Sequence, residues 1–125
     1  MNGIKYLLDT NYILGLLKSN PDVLADISAR QILVTQCAYS PITRMELLGF
    51  PGITRAENSL IRERLASFSI IPLTPVIEER TIALRQSRKI KLPDAIIAAT
   101  AISENIELLT LDQHLKSVVA EGLKG

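Results

Sequence analysis

The stretch Ile4-Lys5-Tyr6-Leu7-Leu8-Asp9-Thr10-Asn11-Tyr12-Ile13-Leu14-Gly15-Leu16-Leu17 decides the fold. Its opening residues, Ile4 to Leu8, form a short apolar run of strand character, and Tyr12 to Leu17 read as helix. Between them, Asp9-Thr10-Asn11 puts a carboxylate directly behind a strand. Open α/β sheets carry their chemistry at that end of their strands.

Working outward, strand-like runs at 4–8, 32–36, 69–73 and 106–110 alternate with longer stretches of helical period. Strands separated by helices imply an α/β fold, three layers α/β/α around a central, mostly parallel sheet covered on both faces. With 125 residues, 47% of them apolar, and no repeat, low-complexity tract or linker, the chain fits one domain, 1–125, around a single core.

Helix boundaries are marked by their caps. Asn20-Pro21-Asp22 starts a short helix through about Ala29, and Ser40-Pro41 opens another that Gly49 stops, with Glu46 inside it. Thr54 caps a helix whose apolar stripe is Leu60, Ile61, Leu65 and Phe68, and Pro75 opens one that runs to about Lys89. Pro93 to Ile102 is apolar all round and rich in Ala, which implies a helix buried on several sides, with Asp94 in its first turn. Ile106 to Thr110 reads as a strand, Leu111-Asp112 follows, and Gln113 to Ala120 is a final short helix.

A formal net charge of +1 gives the molecule no long-range attraction for polyanions, so any nucleic-acid contact must come from local basic clusters. Cys37 has no second cysteine to pair with and reads as a buried thiol; with the lone His114 it makes no zinc site. Asp9 and Asn11 interrupt the apolar stretch at the start, no basic region precedes it, and a span needs about twenty apolar residues. The expectation is a cytoplasmic protein with no membrane segment.

Asp9, Glu46, Asp94 and Asp112 are the candidate site. Each has a bland reading alone: Asp9 as a helix cap, Asp94 as a first-turn acid, Asp112 as a turn residue and Glu46 as a solvated side chain. Jointly they point elsewhere, because acids at strand ends and helix starts of a parallel α/β domain project to one sheet edge. Clustered carboxylates raise one another's pKa, and a divalent cation relieves the crowding. All-oxygen ligands favour Mg²⁺ or Mn²⁺, whose chemistry suits phosphodiester hydrolysis.

Four motifs, Leu7-Leu8-Asp9-Thr10-Asn11, Ser40-Pro41-Ile42-Thr43-Arg44-Met45-Glu46-Leu47, Leu92-Pro93-Asp94-Ala95-Ile96-Ile97-Ala98-Ala99-Thr100-Ala101 and Leu109-Thr110-Leu111-Asp112, together resemble the PIN domain. Within it the likeness is to the small VapC-type ribonuclease toxins of type II toxin–antitoxin pairs, over nearly the whole chain. The resemblance implies a PIN-like fold, metal-dependent RNA cleavage, Mg²⁺ or Mn²⁺ held directly by Asp9 and Asp94, and Glu46 and Asp112 acting through water or a second ion. It implies that Thr10, Asn11, Thr43 and Thr110 support the acids by hydrogen bonding, and that the partners are an RNA substrate, a second copy in a homodimer and an antitoxin. Gln113-His114-Leu115 departs from the Asp-Phe pair that often follows the last acid in the family, and His114 is not expected to be catalytic.

Arg85, Arg88, Lys89 and Lys91 precede Asp94 and are the candidate grip on RNA phosphates, against the bland reading of a solvated helix face. Other strand-end acid enzymes fit less well. A haloacid-dehalogenase-like phosphatase would need a second Asp where Asn11 stands, and a P-loop is absent. The remaining alternative is a PIN-like module that binds RNA or a protein without cutting.

Overall fold

The computed structural model describes residues 3–124. Among these residues four short strands, β1 (Tyr6–Leu8), β2 (Cys37–Tyr39), β3 (Ser69–Ile70) and β4 (Glu107–Leu109), form one all-parallel sheet in the order β3-β2-β1-β4. The chain moves outward from β1 to β2 and β3, then returns to the other side of β1 for β4. The boundary between β1 and β4 is therefore the topological switch point, the place where open α/β sheets bind their ligands, at the strands' carboxyl ends. Asp9 follows β1 there and Asp112 follows β4, and the Asp9 N–H donates to the Leu109 carbonyl at 3.0 Å.

Among the described residues seven α-helices cover the sheet: α1 (Thr10–Leu17), α2 (Pro21–Arg30), α3 (Pro41–Leu48), α4 (Arg55–Leu65), α5 (Pro75–Ser87), α6 (Leu92–Glu104) and α7 (Gln113–Lys124). The period of two along each strand sorts the core into two layers. Leu7, Ala38 and Leu108 face a cluster with Ile77, Ile97, Ala98, Leu115 and Val118 from α5, α6 and α7. Leu8, Cys37, Tyr39 and Leu109 face the other way, onto Tyr12, Ile13, Val23, Leu47, Ile61 and Leu65 from α1 to α4. This is the three-layer arrangement that the alternation of elements implies.

The caps act as their sequences imply. The Asn20 side chain accepts from the Asp22 and Val23 N–H groups, Ser40 from Ile42, and Thr54 and Glu57 form a reciprocal box on α4. Gly15 is required on α1, because a Cβ there would lie 2.7 Å from Cγ2 of Val23 on α2. Small side chains likewise let α6 sit deep in the fold, where Ala95, Ala98, Ala99 and Ala101 are fully buried.

Three expectations need correction. The run 32–36 is not a strand: Val34–Gln36 is a 3₁₀ turn, closed where the Gln36 side chain accepts from the Leu33 N–H at 3.0 Å, and the sheet takes the next triplet, Cys37–Tyr39. Leu33 and Val34 are left exposed. The run 69–73 pairs only through Ser69–Ile70, since Pro72 has no N–H to give a ladder. Leu60 is exposed rather than part of the α4 stripe, which is carried by Ile61 and Leu65.

Candidate active site

Asp9, at the N-cap of α1, is 6% exposed. Its Oδ1 accepts from the Thr10 N–H at 2.8 Å and its Oδ2 from the Thr110 hydroxyl at 2.8 Å. An ordinary cap would serve the second or third N–H of the helix instead, so this carboxylate is turned away from pure capping. Asp94 lies in the first turn of α6 and is partly exposed. Asp112 precedes α7, and its Oδ1 accepts from the Leu115 N–H at 3.1 Å. These three acids thus stand at helix N-termini, whose unpaired N–H groups favour negative charge.

Glu46 comes from the middle of α3 and is exposed, yet it does not float free. The Thr10 hydroxyl lies 2.7 Å from Glu46 Oε1 and 3.1 Å from the buried Thr43 hydroxyl, which ties α1 to α3 beside Asp9. Asn11 completes the frame: its Nδ2 donates to the Thr110 hydroxyl at 3.3 Å, and its Oδ1 accepts from the Leu111 N–H at 3.0 Å. The Asp112 N–H in turn donates to Thr110 Oγ1 at 3.0 Å. Thr10, Asn11, Thr43 and Thr110 therefore form one network that fixes the acids' neighbouring backbone.

Asp9 and Asp94 sense the other acids. Burial pushes the Asp9 carboxyl above its ordinary range; the Thr110 hydroxyl and Thr10 amide pull it back, and the charges of Asp94 and Glu46 push it up again. Asp94 is raised by burial, then by Asp112 and Glu46, while Lys91 and His114 pull it down. None of the four acids has a salt-bridge partner among the described residues. Nor do three or more His, Cys, Asp or Glu side chains among those residues stand in the closeness of a finished metal cage.

The basic residues divide. Lys91, the residue before α6, lies close enough to lower Asp94's pKa, as does His114 from the first turn of α7, a proximity not expected from the sequence. Arg88 is 3.2 Å from Glu121 in an ion pair near the far end of α7. Glu121 is nine residues along from Asp112, about 13 Å of helical rise. Arg85 and Lys89 are exposed.

Next to Glu46 lies a feature the sequence did not mark by residue, a cleft of about 190 Å³ between α1, α3 and α4. Leu14, Leu47, Phe50, Ile53 and Ile61 make it apolar, Thr10 and Glu46 stand on its wall, and Lys18 and Glu57 add opposite charges. The one sequence signal was Phe50, an aromatic in the Gly49–Gly52 loop, which is 62% exposed.

A parallel α/β domain with Asp9 and Asp112 following its two adjacent strands β1 and β4 is the setting in which the comparisons fall. The family model described as "PIN domain" matches residues 6–121, and the chain belongs to that family. Ribonuclease VapC10 of Mycobacterium tuberculosis is 34% identical over 96 residues, covering 69% of this chain and 71% of that protein. Among solved structures, a toxin–antitoxin complex from Klebsiella pneumoniae matches with TM-score 0.75 and 36% identity, covering 87% of this chain and 88% of the other. VapBC-1 from nontypeable Haemophilus influenzae matches with TM-score 0.75 and 25% identity over 94% of each chain.

Proposed function

We propose that this chain is a Mg²⁺- or Mn²⁺-dependent ribonuclease and the toxin of a toxin–antitoxin pair. One observation carries the reading: Glu46 lies near enough to act on both Asp9 and Asp94, Asp112 acts on Asp94, and none of the four acids has a salt-bridge partner among the described residues. The donor set fits a hard divalent ion, which takes oxygen ligands. Mg²⁺ in particular needs only one or two direct carboxylates and fills the rest of its shell with waters and phosphate oxygens. Asp9 and Asp94 would hold the ion directly, with Glu46 and Asp112 acting through water. When bound, the ion would supply Lewis-acid activation of water and neutralise charge on the scissile phosphate.

The chain's own residues do the remaining work. Thr110 and the Thr10 amide hold both oxygens of Asp9 in place, so its orientation does not depend on the ion. The Thr10 hydroxyl holds Glu46 at the mouth, where its carboxylate can accept a proton from the attacking water. Lys91 puts a positive charge beside Asp94, suited to a phosphate arriving there, and Lys89 and Arg85 would extend that grip. Arg88, paired with Glu121, is the weakest candidate of the basic set.

The partners follow the relatives, which include the Klebsiella pneumoniae toxin–antitoxin complex. The apolar cleft beside Glu46 suits an apolar segment of an antitoxin, with a basic side chain reaching the acids. A homodimer belongs to the same reading. Among the described residues no helix is long and apolar enough to cross a membrane. The test is purified protein on single-stranded RNA with and without Mg²⁺ or Mn²⁺. Cleavage that chelation stops and Asp94→Asn abolishes is expected; metal-independent cleavage, or none by the wild type, would refute the proposal.

A further inference from the structure

We infer that the cleft between α1, α3 and α4 is a nucleobase pocket, in which Phe50 stacks on the unpaired base of an RNA nucleotide beside the scissile phosphate. The inference rests on the ribonuclease reading above and names a substrate contact for it. The chain has three Tyr and two Phe. Tyr12 and Tyr39 are buried and Tyr6 and Phe68 half-buried, so Phe50, 62% exposed, is the one aromatic ring offered to solvent among the described residues. That ring does not stand on an open helix surface: it lines the cleft together with Thr10 and Glu46.

Thr10 and Glu46 join the cleft to the acids. The Thr10 hydroxyl meets Glu46 at 2.7 Å and the Thr10 N–H donates to Asp9 at 2.8 Å, so Thr10 borders the cleft on one side and Asp9 on the other. A group seated in the cleft is therefore next to whatever Asp9 holds. The backbone of Phe50 is fixed as well: its carbonyl accepts from the Ile53 N–H at 3.2 Å, across Pro51 and Gly52. Gly52 has φ +82°, and Pro followed by Gly is what the centre of a type II turn asks for.

The rest of the lining suits the flat face of a base. Leu14, Leu47, Ile53 and Ile61 are apolar and give a phosphate no donor. A cavity of about 150 Å³ takes up benzene, so the cleft, at about 190 Å³, has room for one base and not for a stack of them. Lys18, also on the lining, is exposed and has no salt-bridge partner among the described residues, which leaves its ammonium for the same nucleotide's phosphate. Aromatic side chains take bases that are splayed out of a stack, and those belong to single-stranded RNA. The base and the antitoxin segment assigned above to this cleft exclude one another.

The experiment first selects, from a pool of short single-stranded RNAs of random sequence, one that the wild type cuts, and then replaces each nucleotide beside the cut in turn by an abasic ribose. Wild type, Phe50→Ala and Phe50→Tyr are compared by kcat/KM on the intact and the abasic RNAs. Expected are a loss of about fivefold or more when the wild type meets an abasic site at one position, a like loss for Phe50→Ala on the intact RNA, no further loss for Phe50→Ala at that abasic site, and recovery in Phe50→Tyr. The melting temperature of Phe50→Ala stays at the wild type's, since the ring is exposed. Equal sensitivity of wild type and Phe50→Ala to every abasic position overturns the base pocket, leaves the cleft to the antitoxin and leaves the ribonuclease reading intact. Absence of cleavage by the wild type overturns both, and is visible before any variant is compared.

Discussion

Two groups of carboxylates in this molecule are treated in opposite ways. Away from the candidate site, Asp26 and Glu107 share Arg30, at 3.8 Å and 2.6 Å, and the guanidinium lies 5.4 Å from the centre of the Tyr6 ring. Asp26 also accepts from the Tyr12 hydroxyl at 2.6 Å. These acids carry their counter-charge within the fold. Asp9, Glu46, Asp94 and Asp112 have hydroxyls, amides and one another, with Lys91 and His114 as the basic residues that act on Asp94. The first group closes a structure, and the second has no ion-pair partner among the described residues.

That contrast is sharpest under substitution. Asp94→Asn should lower RNA cleavage by about 10³-fold, the rate loss that corresponds to several kcal/mol of missing stabilisation of phosphate charge. Its melting temperature, followed by circular dichroism, should be equal to or above the wild type's, because a carboxylate raised by burial and like charge costs stability in the metal-free protein. Thr110→Val removes the hydroxyl that donates to Asp9 and should cost about 10–100-fold in cleavage, as loss of groups that orient ligands does; Thr110→Ser should recover most of it.

At the paired cluster the outcome reverses. Arg30→Ala should leave cleavage within twofold of wild type and lower stability by about 1 kcal/mol in urea unfolding, since its ion pairs are partly exposed and screened. The smallest effect concerns pH. Asp9 and Asp94 have raised native pKa values, so the native state holds protons that the unfolded chain has already released. Stability therefore falls as pH rises from the ordinary carboxylate value through the raised ones, and the penalty is complete above them. The stability advantage of Asp94→Asn over wild type should accordingly shrink on acidification from neutral pH, and a constant difference would remove electrostatic crowding as its cause.

The acids were legible in the sequence because each sits at a boundary that local residues announce: a strand end for Asp9, a Pro93 helix start for Asp94, and a strand-to-helix turn for Asp112. Glu46 was legible through the Ser40-Pro41 cap and Gly49 stop that frame its helix. What escaped was decided by tertiary distance. Arg88 and Lys91 are close in the chain, yet one pairs with Glu121 and the other acts on Asp94. The apolar run 32–36 looked like a strand, but a Gln36 side-chain bond turns it and shifts the pairing to Cys37–Tyr39. The cleft beside Glu46 needs α1, α3 and α4 assembled before it exists at all.

The most direct test of the unpaired acid cluster is calorimetric titration of Mn²⁺ into the metal-free wild type, Asp94→Asn and Arg30→Ala proteins. Saturable binding by wild type and Arg30→Ala, lost or weakened at least tenfold in Asp94→Asn, is the predicted result. Equal binding by all three proteins, or none by the wild type, would contradict the account.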